Sequence, residues 1–176
     1  MSRSRTPFVV LGLLLWEPMS GYDLKSTIER TVGHFWQESY GQLYPTLKAL
    51  HAEGHVTLDA EGAGARKRKV YAITPAGRAA FSDWLAQPYE VTPARNELLL
   101  KVFFASLAEP DAVVPHLEAA RRQAQERLEV LVGIREAVRV EEATDHQRRC
   151  WLLTVEYGIR MAEATIGWAT DGLEPG

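Results

Sequence analysis

Residues 56–75 read VTLDAEGAGARKRKVYAITP, and the fold turns on them. Val56 and Leu58 alternate with polar neighbours, and Tyr71 and Ile73 do so again within the run Val70 to Thr74. Side chains two apart share one face of a strand, so each run reads as a half-buried strand. Between them, Asp59-Ala60-Glu61-Gly62-Ala63-Gly64-Ala65-Arg66 is rich in glycine and small residues and reads as a long, flexible tip. The stretch is therefore expected to be a two-stranded hairpin. Its second arm opens on four adjacent cations, Arg66, Lys67, Arg68 and Lys69.

Upstream the period is helical. Thr6-Pro7 offers an N-cap and a proline at the first helical position, followed by a nearly all-apolar run that ends at Glu17-Pro18. A helix apolar on all sides belongs in a core. Ser20 and Asp23 are spaced as a capping box, and Leu24, Ile28 and Val32 then recur every four residues. Ser39-Tyr40-Gly41-Gln42 repeats that opening for a third helix with Leu43, Leu47 and Leu50 on its inner side. Pro45 removes the hydrogen bond to the Gly41 carbonyl, so a kink or a start a few residues later is expected. Gly54 ends this helix.

Downstream, Thr74-Pro75 starts a fourth helix with Phe81, Trp84 and Leu85 on one face, and Pro88 to Pro93 forms a short linker. This divides the chain into domains 1–88 and 89–176. The second is expected to be all helix: a short segment carrying Leu98, Leu99, Val102 and Phe103, a long one from Asp111 to about Glu142, and a last one from His146 to about Thr170. The fold class is mainly α. Three helices, a two-stranded wing and a closing helix make an N-terminal winged helix, joined to an all-α C-terminal domain.

Composition narrows the function. The chain has 176 residues and a net charge of −3, with no global basic signature. Residues 1–88 nevertheless carry ten Lys/Arg against eight Asp/Glu, and residues 89–176 carry ten against fifteen, so only the first half is suited to approach phosphates. Cys150 is the single cysteine, which excludes an intrachain disulfide and a thiolate metal site and fits a reducing cytoplasm. The run Phe8 to Trp16 is far shorter than the roughly 20 residues of a membrane helix. Arg3 and Arg5 before it imitate a signal peptide, but no small-residue cleavage site follows. Five histidines invite a metal. His51 and His55 are four apart, yet Gly54 breaks the helix between them and no acidic or thiol partner stands at ligand spacing. No nucleophile elbow, phosphate loop or dinucleotide fingerprint is present, so neither an enzyme nor a cofactor is expected.

In a winged helix the third helix lies in the major groove and the hairpin reaches a neighbouring backbone or minor groove. The expected DNA-facing set is Tyr22, Ser39, Tyr40, Gln42, Tyr44, Pro45, Thr46 and Lys48, with Arg66, Lys67, Arg68 and Lys69 on the wing. Gln pairs with adenine, Thr touches a thymine methyl, and Lys or Tyr holds phosphate. The plainer alternatives are an ordinary polar helix face, a Tyr44 packed inward beside Leu47, and a cationic strand that merely blunts a sheet edge. The last helix carries two apolar stripes. One, Leu152, Val155, Ile159, Ala162 and Ile166, is assigned with Leu128 and Leu131 to a homodimer interface. The other, Trp151, Tyr157, Met161 and Trp168, is a candidate wall for a small aromatic effector. Set against the DNA reading is a winged-helix protein–protein adaptor, which an acidic or truncated wing would favour.

Leu11-Gly12-Leu13-Leu14, Met19-Ser20-Gly21-Tyr22-Asp23-Leu24, Ser39-Tyr40-Gly41-Gln42-Leu43-Tyr44-Pro45-Thr46-Leu47, the Ala52-Glu53-Gly54 turn and Tyr71-Ala72-Ile73-Thr74-Pro75-Ala76-Gly77-Arg78 resemble the PadR family of bacterial transcription regulators. Glu97-Leu98-Leu99-Leu100-Lys101-Val102-Phe103-Phe104 and the helix around Tyr157-Gly158 resemble the larger helical C-terminal domain of one branch of it. The resemblance covers nearly the whole chain. It implies a homodimeric regulator, usually a repressor, that leaves its operator when an effector binds. It places Tyr22, Gln42, Tyr44 and Pro45 at the DNA-facing start of the recognition helix region and Arg66 to Lys69 on the wing. It carries over no effector-binding residues.

Overall fold

The computed structural model describes residues 5–36, 40–61, 68–91, 95–107 and 109–174, in two compact units, Met1–Val91 and Thr92–Gly176. The first contains α1 (Thr6–Leu14), β1 (Met19–Ser20), α2 (Gly21–Thr31), α3 (Tyr40–Ala52), β2 (Val56–Glu61), β3 (Arg68–Ile73) and α4 (Pro75–Ala86). This is the expected winged helix, with one addition. The two residues of β1 pair antiparallel with β3, Met19 opposite Tyr71 and Ser20 opposite Val70, so β3 is the middle strand of a three-stranded sheet.

α1 supplies Val10, Leu11, Leu13 and Leu14 to the core, where they meet Leu24 and Ile28 of α2, Leu43, Leu47 and Leu50 of α3, and Met19, Val56 and Tyr71 of the sheet. Thr6 is not the cap of α1. It is the first helical residue and buried, while Arg5 holds the cap position without a side-chain cap bond. The closing helix α4 leans on α1 through Phe8 stacked on Trp84, ring centroids 4.6 Å apart. Phe81 sits beside Trp84, but Leu85, expected on the same face, is exposed.

The end of α3 is tied to the wing by backbone. Gly54 has φ +75°. Its N–H donates to the His51 carbonyl at 3.1 Å, and the His55 N–H donates to the Leu50 carbonyl at 2.9 Å. That pair of bonds closes a helix on a left-handed residue, a conformation glycine adopts without Cβ strain. The His55 carbonyl then accepts from the Thr74 N–H at 3.0 Å, and the Thr74 hydroxyl donates to the Gly54 carbonyl at 2.7 Å. Thr74 also caps α4, accepting from the Gly77 N–H at 3.1 Å. α4 passes so close to this turn that a Cβ on Gly77 would collide with the His55 carbonyl oxygen.

The second unit contains α5 (Glu97–Phe104), 3₁₀ turns at Ala105–Leu107 and Pro110–Val113, α6 (Val114–Val140) and α7 (Asp145–Asp171). α6 and α7 run antiparallel: Gly158 lies on Leu131, and Gly172 lies on Leu117. Their turn is held by a capping box in which the Thr144 hydroxyl accepts from the Gln147 N–H and the Gln147 side chain accepts from the Thr144 N–H. The Arg148 guanidinium completes it by donating to the Glu141 and Ala143 carbonyls at 3.0 and 3.2 Å.

The seam of this pair corrects one assignment. Leu131, Val155, Ile159 and Ala162, expected between two copies, are buried between α6 and α7 of a single chain. Leu128, Leu152 and Ile166 flank that seam, half-buried. Apolar side chains left outside are Leu153, Tyr157, Met161 and Trp168 on α7, and Leu99, Leu100, Phe103 and Phe104 on α5 with Leu107 beyond it. No residue of α5 is buried. Among the described residues, no helix is long and apolar enough to cross a membrane.

Candidate nucleic-acid interface

α3 has one face in the core and one in solvent. Leu43, Leu47 and Leu50 are buried, whereas Gln42, Tyr44, Pro45 and Lys48 are exposed and Thr46 is half-buried. Pro45 lies inside α3, which starts at Tyr40 rather than a few residues later. Gly41 and Pro45 are both exposed, which leaves the unpaired Gly41 carbonyl to water.

Tyr44 does not turn inward beside Leu47: it is 62 % exposed, and Tyr22, in the first turn of α2, is 74 % exposed. The flank of the Tyr44 ring lies over Gly21, so close that a Cβ there would stand 2.7 Å from Cε1. Tyr71 is buried in the sheet. Burial, and after it the nearby Tyr44 phenol, push the Tyr71 phenol above its ordinary pKa. Tyr22 and Tyr44 thus stand on one surface formed by the α2 and α3 starts. The Ser20–Asp23 capping box fixes the first of those starts, with the Ser20 N–H donating to Asp23 Oδ2 at 3.0 Å.

On the wing, Lys69 is exposed and pairs across the sheet with Ala60. Arg68 opens β3, but its side chain, that of Tyr40, and Ser39, Arg66 and Lys67 altogether lie outside the described residues. His51 and His55 serve the turn rather than a shared ion. His51 Nδ1 donates to the Val56 carbonyl at 3.1 Å, and His55 Nε2 lies 3.7 Å from Glu53. Among the described residues no group of three or more His, Cys, Asp or Glu could hold a metal.

Sequence reasoning missed Gly21 as the position over which the Tyr44 ring lies. The signal was Gly21 beside Tyr22: the tyrosine was read as DNA-facing, but the glycine only as part of a helix opening. The candidate effector residues do not enclose a cavity. Tyr157, Met161 and Trp168 are exposed on α7 and Trp151 is half-buried. An open depression of about 320 Å³ on the same helix is lined instead by Asp145, Arg148, Arg149, Leu152, Leu153 and Glu156.

This arrangement matches known proteins in both units. Residues 10–83 match the transcriptional regulator PadR-like family, and residues 94–174 match the virulence activator alpha C-terminal family. This chain carries a PadR-like transcriptional regulator domain followed by a virulence activator alpha C-terminal domain. PadR-like proteins are regulators, not enzymes. The negative transcriptional regulator PadR of Bacillus subtilis is 36 % identical over 102 residues, a match that takes in 56 % of each chain. The crystal structure of Bacillus subtilis PadR in complex with operator DNA superposes with a TM-score of 0.85 at 23 % identity, covering 97 % of both chains. The Vibrio cholerae virulence activator AphA superposes at 0.76 with 28 % identity and 94 % coverage of both. The sequence resemblance and the mainly helical winged fold are therefore correct.

Proposed function

We propose that this PadR-like protein is a sequence-specific, homodimeric repressor that holds operator DNA with α3 in the major groove and the wing on phosphates. One observation carries the reading: α3 keeps its leucines inside and turns Gln42, Tyr44, Pro45 and Lys48 outward beside Tyr22. Gln42 and Thr46 read base edges, with Ser39, Tyr40, Tyr22, Tyr44 and Lys48 on the flanking backbone. Arg66, Lys67, Arg68 and Lys69 neutralise phosphates and release counterions. Support comes from the similarity to the Bacillus subtilis protein, which was solved on operator DNA.

A second copy covers the apolar side chains of α5 and the outer face of α7, since surfaces of this kind mark association sites. In this reading Leu152, Ile166 and Leu128 lie at the edge of the contact and Tyr157, Met161 and Trp168 within it. A closed two-fold pair then presents two α3 helices about one DNA turn apart, roughly 34 Å. Bacillus subtilis PadR was also solved with p-coumaric acid. We assign a small aromatic effector to the C-terminal unit, acting by favouring the arrangement of the pair that fits DNA less well. The protein works in the cytoplasm, where its operator is.

The test is fluorescence anisotropy with a duplex from the region upstream of its own gene against a scrambled duplex, over a range of salt. A preference for the native duplex that falls steeply with salt is expected, and equal weak binding to both speaks against the reading. Lys67→Ala with Arg68→Ala should weaken binding to every sequence and lower the salt slope by about 2, one per phosphate contact. An unchanged slope removes the wing from the phosphates. Gln42→Ala should cost about 1–3 kcal/mol on the preferred operator and relax its specificity. Equal losses on all duplexes exclude base reading by Gln42.

A further inference from the structure

We propose that Gly21 is a positioning residue for DNA recognition: its missing Cβ makes the slot in which the Tyr44 ring lies, and any side chain there drives Tyr44 out of the DNA-facing surface. The inference rests on the DNA-binding reading and deepens it.

Three observations support it. The Tyr44 ring is the nearest group to Gly21, with Cε1, Cζ and the hydroxyl at 2.7, 3.2 and 3.4 Å from where a Cβ would stand. The lower end of that range lies below any tolerated carbon–carbon approach, so one partner must move. Gly21 cannot be the one that moves. It follows directly on Met19 and Ser20, whose pairing with Tyr71 and Val70 pins the backbone to the middle strand. It also opens α2 inside the Ser20–Asp23 capping box. Tyr44 can move, because it is 62 % exposed and its ring is the far end of a side chain with solvent beside it. Alanine at position 21 therefore swings the tyrosine out. It leaves α2 intact, since alanine is the better helix former.

Tyr71 is buried where β1 meets β3, and the Tyr44 phenol lies near enough to disfavour its ionisation.

The experiment uses the full chain and a duplex that the wild-type protein selects from a random-sequence library. Affinity and Tm are measured for wild type, Gly21→Ala, Tyr44→Ala and the double variant. Gly21→Ala is expected to lose about tenfold in affinity, the scale of one recognition contact, with little change in Tm. The double variant should bind no worse than Tyr44→Ala alone, because with the ring removed the added methyl has nothing to displace. Wild-type affinity for Gly21→Ala, or losses that add in the double variant, overturns the proposal. A Gly21→Ala protein that melts early in both backgrounds overturns it too, since the added methyl then damages the fold rather than the ring. If the wild-type chain selects no sequence at all, it is the DNA-binding reading that fails.

Discussion

Gly77→Ala is expected to cost about 3 kcal/mol, the upper end of ordinary overpacking. The added methyl meets the His55 carbonyl oxygen and comes within 2.9 Å of Ile73 Cγ1. Neither can yield cheaply. The His55 carbonyl accepts from the Thr74 N–H, and the His55 N–H closes the end of α3 on the Leu50 carbonyl. Moving it lengthens two hydrogen bonds and loosens the join between α3 and the wing, while moving α4 breaks the Thr74 cap. A unit of this size loses roughly 4–8 °C of Tm per kcal/mol, so the melting of the N-terminal unit should fall by more than about 10 °C. Gly133→Ala is the control. It lies inside α6 with nothing within 4 Å of the new methyl, so it should raise stability by up to about 1 kcal/mol through helix propensity. Calorimetry that shows the same small change for both would mean that the approach of α4 to His55 is not a tight one.

Phe103→Glu combined with Phe104→Glu is expected to split the proposed homodimer and to lower operator affinity with it. The two rings meet edge to face at 5.1 Å and are otherwise exposed on a helix with no buried residue. The exchange therefore removes little packing within a chain but sets four carboxylates in a symmetric contact. α5 itself should persist. Its start is capped by Asn96, which accepts from the Leu99 N–H, and its first turn is braced by Glu97 to Lys101 at 2.9 Å. That lysine holds the Glu97 carboxyl below its usual pKa. The loss of the second half-site removes an intramolecular second binding event, which is worth about 10²–10⁴ in affinity. Light scattering should report half the wild-type mass with unchanged helicity. An unchanged mass would place the contact between copies elsewhere.

Periodicity made most of this fold legible. The change from a repeat of four to a repeat of two at Val56 located the wing, and serine before Gly21 and threonine before Pro75 located helix starts, whereas the Thr144 cap went unread and the last helix was expected from His146 rather than Asp145. β1 was not legible, because two residues carry no alternation and Met19-Ser20 looks like any turn before a helix. Its existence depends on β3, which local sequence does not describe. The stripes of α7 show a different limit. Their spacing revealed two apolar faces, but a face does not name what covers it. The stripe with Val155 and Ile159 went to α6 of the same chain, leaving Tyr157 and Met161 outside. On α3, the direction of Tyr44 was undecided by pattern because it depends on the one position, Gly21, with room for its ring.

The pairing of Met19 with Tyr71 also sets an order in time. During synthesis α1, α2 and α3 leave the ribosome well before β3, and their helices can form from local bonds alone. Until Tyr71 emerges, however, β1 has no partner and Gly21 has no fixed place, so Tyr44 has no seat. The reading surface is completed only by one of the last strands of its unit to appear, after a long-range loop closure that is slower than helix formation. A nascent or truncated chain ending at Asp59 should thus show helical signal but no operator preference.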